Sequence, residues 1–433
     1  MWRRISDDLR RWKESPRRKP LIVRGVRQCG KTHSLREFGG AEYVDCAYFN
    51  FESDPDLRKA FEADLDPRRI VSALSAISGK RISEGDTLIV FDEIQSCGKA
   101  LTSLKYFCED APGYHVACAG SLLGVMLSKP SSFPVGKVDF MTMRPMDFME
   151  FATACGHRVM CEEMSRGLAA AGFEGRLERL LKDYCFVGGM PEAVSAWAGG
   201  EGGERVREIH SGILNSYEGD ILKHVPASEM GRVRDVWRSI PEQLAKDNRK
   251  FMFGHVREGG RARELADALE WLIDAGLAHK VKSVSRPELP LRMFEDGSSF
   301  KIYACDAGLL GRMCNVRYEE HASDRVPEAY RGALAENLVL THILPIFDDE
   351  VHCWRDGAYE VDFLVGRRGR AVPIEVKSGR RKRSRSLAEY IDRYDPEVCL
   401  MFSQDGSGGD RVVSAPLYMA WAADRLIDEK IGG

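Results

Sequence analysis

Residues 20–32 read PLIVRGVRQCGKT, and within them Gly25–Thr32 follows the pattern G-x-x-x-x-G-K-[ST]. The apolar run before the first glycine predicts a buried strand, and a helix is expected from about Lys31, the setting this loop requires. There the loop's N–H groups and the helix N-terminus converge and favour an anion. Gly25 and Gly30 allow the backbone to wrap closely. Lys31 carries a point charge suited to β- and γ-phosphates, and the Thr32 hydroxyl suits Mg²⁺. The expectation is nucleotide binding, with ATP and Mg²⁺ as cofactors. Cys29 lies inside the loop beside the helix N-terminus, a place that lowers a thiol pKa and where any small residue also fits.

Working outward, VDCAYFNFE (Val44–Glu52) reads as a second strand and DPRRIVSALSAI as a helix. DTLIVFDEI (Asp86–Ile94) is continuous and apolar, as parallel-sheet strands are. YHVACAGSLLG (Tyr114–Gly124) is a fourth strand. Strands alternating with helices predict a three-layer α/β domain around a parallel sheet. Asp92 at the end of its strand would hold Mg²⁺ through water, and Glu93 would polarise the attacking water. The same acidic pair would also serve as a turn and helix cap. Ser121 is a candidate sensor of the γ-phosphate or, equally, a helix N-cap.

The chain has 433 residues, 44% hydrophobic and 30% charged, enough for two to four compact units. A net charge of −3 makes any nucleic-acid surface local. The N-terminal stretch lacks the apolar core of a signal peptide, and no run of apolar residues is long enough to span a membrane. Twelve cysteines occur without a CxxC pair, which argues against a disulfide scaffold or structural zinc. A reduced, cytoplasmic protein is expected. After about residue 145 the pattern turns helical, with GGEGGE (Gly199–Glu204) read as a loop or hinge. Residues 226–315 suggest two helices, a glycine turn and a β-ribbon, the parts of a winged helix. Its second helix, ARELADALEWLIDAGL, is acidic and apolar, which points to packing or partner contact rather than groove reading.

The last part carries a second constellation. YEVDFLVG and AVPIEVKSG read as strands joined by a basic hairpin, and each holds a carboxylate among apolar residues. Alternation places Glu375 and Lys377 on one face, Asp362 sits in the preceding strand, and Glu336 lies in the helix GALAENLV before it. Carboxylates converging on a metal, with a lysine near the attacking water, are what a metal-dependent phosphodiesterase needs. Asp362 and Glu375 are the candidate metal ligands of this set. Taken singly, the same residues would be a cross-strand ion pair and a helix-surface acid. GRRKRSRS (Gly379–Ser386) follows directly and would steer a polyanion, or form a solvated loop.

GVRQCGKT, FDEIQ, AGSLLG, FPVGKVDFMTMRPMDFMEF and YCFVGGMPEAV together resemble a prokaryotic family of AAA-type P-loop ATPases with a C-terminal domain of unknown function. GDILKH, SIPEQLAKDNRKF and FKIYACDAGLL extend the resemblance over nearly the whole chain. The tail, with Glu336, Asp362, Glu375 and Lys377, resembles the PD-(D/E)xK nuclease superfamily. The resemblance implies an α/β P-loop ATPase domain (1–150), a helical extension (151–225), a winged-helix-like segment (226–320) and a nuclease-like α/β domain (321–433). It implies an ATPase whose nucleotide state controls a nucleic-acid-interacting module, or else a switch or scaffold whose nuclease-like domain is silent. Self-association is left open. Relatives carry Pro-x-Gly-Arg where this chain has Pro134-Val135-Gly136-Lys137, so an arginine-finger role is not expected there.

Overall fold

The computed structural model describes residues 1–121, 133–167, 172–246, 249–379, 384–404 and 409–432. Two compact units are present: Met1–Pro145 with Asp274–Gly276, and Met146–Ile273 with Leu277–Gly433.

The first unit contains helices α1 (Ile5–Glu14), α2 (Lys31–Glu42), α3 (Pro67–Ser78) and α4 (Gly98–Asp110). Its strands are β1 (Leu21–Gly25), β2 (Asp45–Asn50), β3 (Thr87–Asp92), β4 (His115–Ser121) and β5 (Asp139–Thr142). They form one sheet in the order β2-β3-β4-β1-β5, every pairing parallel. The expected four strands are there, and β5 adds a fifth against β1. Phe91 anchors β3 in the core: its ring packs on Phe49, Phe51, Phe61 and Phe107 at centroid distances of 5.5 to 6.5 Å. Each such buried ring contributes roughly 1.5–3 kcal/mol by leaving water, and Asp92 is the next residue along the strand.

The second unit opens with helices α5 (Phe148–Ala154), α6 (Arg158–Ser165), α7 (Glu174–Val187), α8 (Pro191–Ala198) and α9 (Gly202–His224). The expected hinge at Gly199–Glu204 is therefore shorter, because Gly202 already begins α9. Next come α10 (Met230–Leu244), α11 (Ala262–Asp274), β6 (Ala278–Val284), β7 (Glu295–Ala304), α12 (Ala307–Met313) and α13 (Tyr318–Ala322). The remaining elements are α14 (Glu328–Ile343), β8 (Val351–Asp356), β9 (Tyr359–Arg367), β10 (Arg370–Val376), α15 (Arg385–Tyr394), β11 (Cys399–Ser403), β12 (Val412–Pro416) and α16 (Ala423–Gly432).

A single seven-stranded mixed sheet runs β12-β11-β10-β9-β8-β6-β7. Strands β8, β9 and β10 form an antiparallel meander, and β11 joins β10 in parallel after the crossover through α15. The ribbon β6–β7 is antiparallel, as a wing would be, but β6 also pairs in parallel with β8. The division expected at residue 320 therefore cuts through one sheet instead of separating two. No helix among the described residues is long and apolar enough to cross a membrane.

Candidate functional site

At the C-terminal end of the first unit's sheet, the two expected glycines turn out to be required for different reasons. Gly30 has φ 96°, a left-handed conformation that a side chain disfavours, and caps the start of α2. Gly25 is needed for space, since a Cβ there would stand 2.1 Å from the Met143 carbonyl oxygen. Lys31 Nζ donates to the carbonyls of Gly25 (3.0 Å) and Val26 (2.9 Å), so its charge lies within the loop.

Thr32 and Asp92, sixty residues apart in the chain, come together. The Thr32 hydroxyl lies 3.0 Å from each Asp92 carboxylate oxygen. Asp92 also accepts from the Tyr48 hydroxyl at 2.6 Å and from Asn50 Nδ2 at 3.4 Å, while the Glu93 N–H reaches its Oδ1 at 3.1 Å. Burial, followed by the bond to the Asp92 carboxylate, raises the Tyr48 pKa. Glu93 sits at φ 49°, in the left-handed region, and its carboxylate accepts from Gln95 Nε2. A hard hydroxyl oxygen beside a carboxylate is a donor set that fits Mg²⁺. Ser121 stands opposite Gly25 in the β1–β4 register, at the same end of the sheet, and its side chain lies outside the described residues.

Three neighbours of this site carried no local signal in the sequence. Tyr48 and Asn50 reach Asp92 from β2, which pairs with β3. Arg3, ahead of α1, is buried and donates to the Cys29 carbonyl at 2.9 Å and the Arg144 carbonyl at 2.7 Å, tying the phosphate loop to the chain after β5. Cys29 is fully buried, with its Sγ 3.4 Å from the Met143 carbonyl. That burial removes it from a role as an accessible, oxidisable thiol. Lys137, at the finger position, is ion-paired with Glu109 at 2.8 Å.

In the second unit a cavity of about 1130 Å³ is lined by Glu336, Asp362, Glu375 and Lys377 among others. The expected four residues thus share one cavity. They do not form one ring of metal ligands, because a residue the sequence reading passed over stands among them. Lys301 of β7 is fully buried, with its Nζ 3.5 Å from Asp362 Oδ1 and 3.6 Å from Glu336 Oε2, and it pairs with Glu360. Burial works against its charge, but Glu360 and Asp362 outweigh burial and raise its pKa. Glu336 is held further by Arg249 and by the Tyr303 hydroxyl at 2.8 Å. Arg249 lies against Gly332, one turn before Glu336 on α14, where a Cβ would meet its guanidinium at 2.5 Å.

Asp362 Oδ2 accepts the Val376 N–H at 2.9 Å. Glu375 Oε1 accepts from Lys377 at 2.5 Å, while among the described residues its buried Oε2 makes no direct hydrogen bond, though Ser384 lies near enough to favour the charged form. Burial and then the Asp362 charge push the Glu375 carboxyl up to about 7, against the pull of Lys377. Among the described residues no group of three His, Cys, Asp or Glu side chains is arranged to hold a metal. Among the described residues the cavity lining carries six basic and six acidic side chains. The basic run expected to add positive charge falls largely on 380–383, outside the described residues.

Residues 17–152 match the family model described as an AAA domain. Residues 178–320 and 331–415 match two models described as domains of unknown function, DUF8612 and DUF4143. No curated protein matches the chain. Among solved structures, the chain is similar to a Walker-type ATPase of Pyrococcus abyssi at 14% identity and a TM-score of 0.44, over 71% of this chain and 94% of that one. It is also similar to Cdc6p from Pyrobaculum aerophilum at 13% identity and a TM-score of 0.26, over 75% and 93%. At those scores neither structure carries weight for function. In the first unit, residues 17–152 match an AAA domain on a parallel five-stranded sheet, which supports ATP binding there.

Proposed function

We propose that the chain is a Mg²⁺-dependent ATPase whose nucleotide state governs a nuclease-like module, in the second unit, that engages nucleic acid. The observation carrying the first half is the meeting of Thr32 and Asp92 at 3.0 Å beside the phosphate loop. Lys31 would neutralise the β- and γ-phosphates, and Thr32 with Asp92 would hold Mg²⁺, whose charge offsets that of the phosphates. Glu93, oriented by Gln95, would take the proton of the attacking water. Ser121 is assigned to sensing the γ-phosphate from the end of β4.

For the second half, support comes from topology and from one buried pair lining the cavity. The order helix α14 with Glu336, strand β9 with Asp362, then strand β10 and its end with Glu375 and Lys377 is the one the PD-(D/E)xK resemblance implies. Asp362 and Glu375 fit a divalent cation because Glu375 Oε2 is buried and unpaired beside a second carboxylate. Lys377 would lie near the water that attacks phosphorus. Glu336 belongs to the site as an anchor held by Arg249 and Lys301 rather than as a ligand.

The rival reading, a silent nuclease-like domain in a nucleotide switch, has its own observation: Lys301 and Arg249 already neutralise much of the carboxylate cluster. Purified protein is incubated with Mg²⁺ or Mn²⁺ and mixed DNA substrates, with and without ATP, beside Asp362→Ala and Glu375→Ala. Metal-dependent cleavage lost in both variants, with ATP turnover retained, is the expected result. Intact ATP turnover with no cleavage by the parent protein selects the switch.

A further inference from the structure

Four carboxylates meet in the second unit's cavity, and they are not equivalent. Glu336 is shared by Arg249, Tyr303 and Lys301. Glu360 is shared by Lys301 and Arg355. Asp362 gives Oδ2 to the Val376 N–H and turns Oδ1 towards Lys301 at 3.5 Å, too long for a strong bond. Glu375, only 3% exposed, is the one of the four whose second oxygen is buried and makes no direct hydrogen bond among the described residues, with the Ser384 side chain near enough to favour its charged form. A carboxylate oxygen left unpaired out of water is costly unless a ligand completes it.

Lys301 is the counterpart of that vacancy in bonding. Its side chain is 1% exposed, and its ammonium faces Glu336, Glu360 and Asp362 at once. A buried ammonium is tolerated only where anions surround it. Three anions around one fixed cation is the arrangement a metal ion otherwise creates.

Building on the metal-site reading above, we propose that this cluster takes a single divalent cation, at Asp362 and Glu375, and that the Lys301 ammonium permanently occupies the place of a second. The carboxylates on the Lys301 side are then spent on a protein cation, and the metal side is restricted to the two residues with a free or weakly engaged oxygen. Lys301 acts as a positioning residue. It holds Asp362 in place and prevents a two-metal arrangement.

Mn²⁺ binding to the full chain, followed by electron paramagnetic resonance in the absence of nucleotide, tests this at about pH 8, where carboxylates are ionised. The parent protein should bind one Mn²⁺ that is missing from Glu375→Gln. Lys301→Met should bind one more than the parent, or bind Mn²⁺ roughly tenfold more tightly or better, because a nearby positive charge is gone. Its melting temperature should also rise more with Mn²⁺ than the parent's. Two Mn²⁺ in the parent, both lost in Glu375→Gln, would overturn the inference and leave the metal site standing. So would a Lys301→Met that matches the parent in number and affinity. An unchanged Mn²⁺ count in Glu375→Gln would overturn the metal-site reading itself, and the inference with it. If Lys301→Met does not fold, Lys301→Met/Glu360→Gln removes one charge of each sign and is held to the same outcomes.

Discussion

Tyr48→Phe removes one oxygen atom from the nucleotide site and tests whether Asp92 is held by the network described. The hydroxyl donates to Asp92 Oδ2 at 2.6 Å, and the other donor to that oxygen besides Thr32 is Asn50 at 3.4 Å. A hydrogen bond to a charged group is worth about 1.5–3 kcal/mol, and the half-buried position of Tyr48 reduces this to about 1–2 kcal/mol. For a unit of this size the loss corresponds to a fall of roughly 3–6 °C in melting temperature. Calorimetry of the full chain separates the units, because the transition that ATP shifts upward belongs to the first. The same substitution in an Asp92→Ala background should then cost within about 0.5 kcal/mol of nothing. An equal loss in both backgrounds would mean that the tyrosine stabilises the fold without touching Asp92, and the network would be refuted.

Lys31→Ala should abolish binding of a fluorescent ATP analogue, and retained binding would remove the phosphate loop from its role. Glu93→Gln should keep ATP bound while turnover stops; undiminished phosphate release would take Glu93 out of the chemistry. Arg3→Ala should weaken ATP binding about tenfold by releasing the Cys29 and Arg144 carbonyls, a loss of about 1.4 kcal/mol readable by calorimetric titration. His210 is buried against the Val187 carbonyl at 2.9 Å, and burial lowers its pKa from 6.5 to about 4. The unfolded chain therefore binds this proton first as pH falls. About 3 kcal/mol of the second unit's stability should be lost between pH 6.5 and 4, and His210→Gln should flatten that slope in urea melts.

The parts legible in the sequence were those written in consecutive residues. Gly25–Thr32 and Leu88–Glu93 carry their chemistry and their strand or helix context within a few positions, so the parallel sheet and its phosphate loop could be read directly. Tyr48, Asn50 and Arg3 could not, because only the strand order β2-β3-β4-β1-β5 and the fold-back ahead of α1 bring them to the site. Lys301 did leave a trace. It interrupts the apolar run Phe300–Ala304 just as Asp362 interrupts its own, and a charge inside a strand buried along that length has to be paired. Asp362 is legible because a partner motif follows it in the chain. The partners of Lys301 are 35 to 61 residues away.

The pairing of β6 with β8 has a practical side for anyone who wants the tail alone. A fragment cut at residue 321 would keep α14 but leave β8 stripped of its neighbour β6, a row of N–H and C=O groups open to the first strand that meets it. It would also lack Lys301, so Glu336, Glu360 and Asp362 would repel one another inside a cavity built around a cation. Such a fragment should aggregate, and a failed nuclease assay on it would say nothing about the protein. A fragment opened ahead of Met146 keeps both the strand and the lysine, together with the rest of its unit, and its silence would be informative.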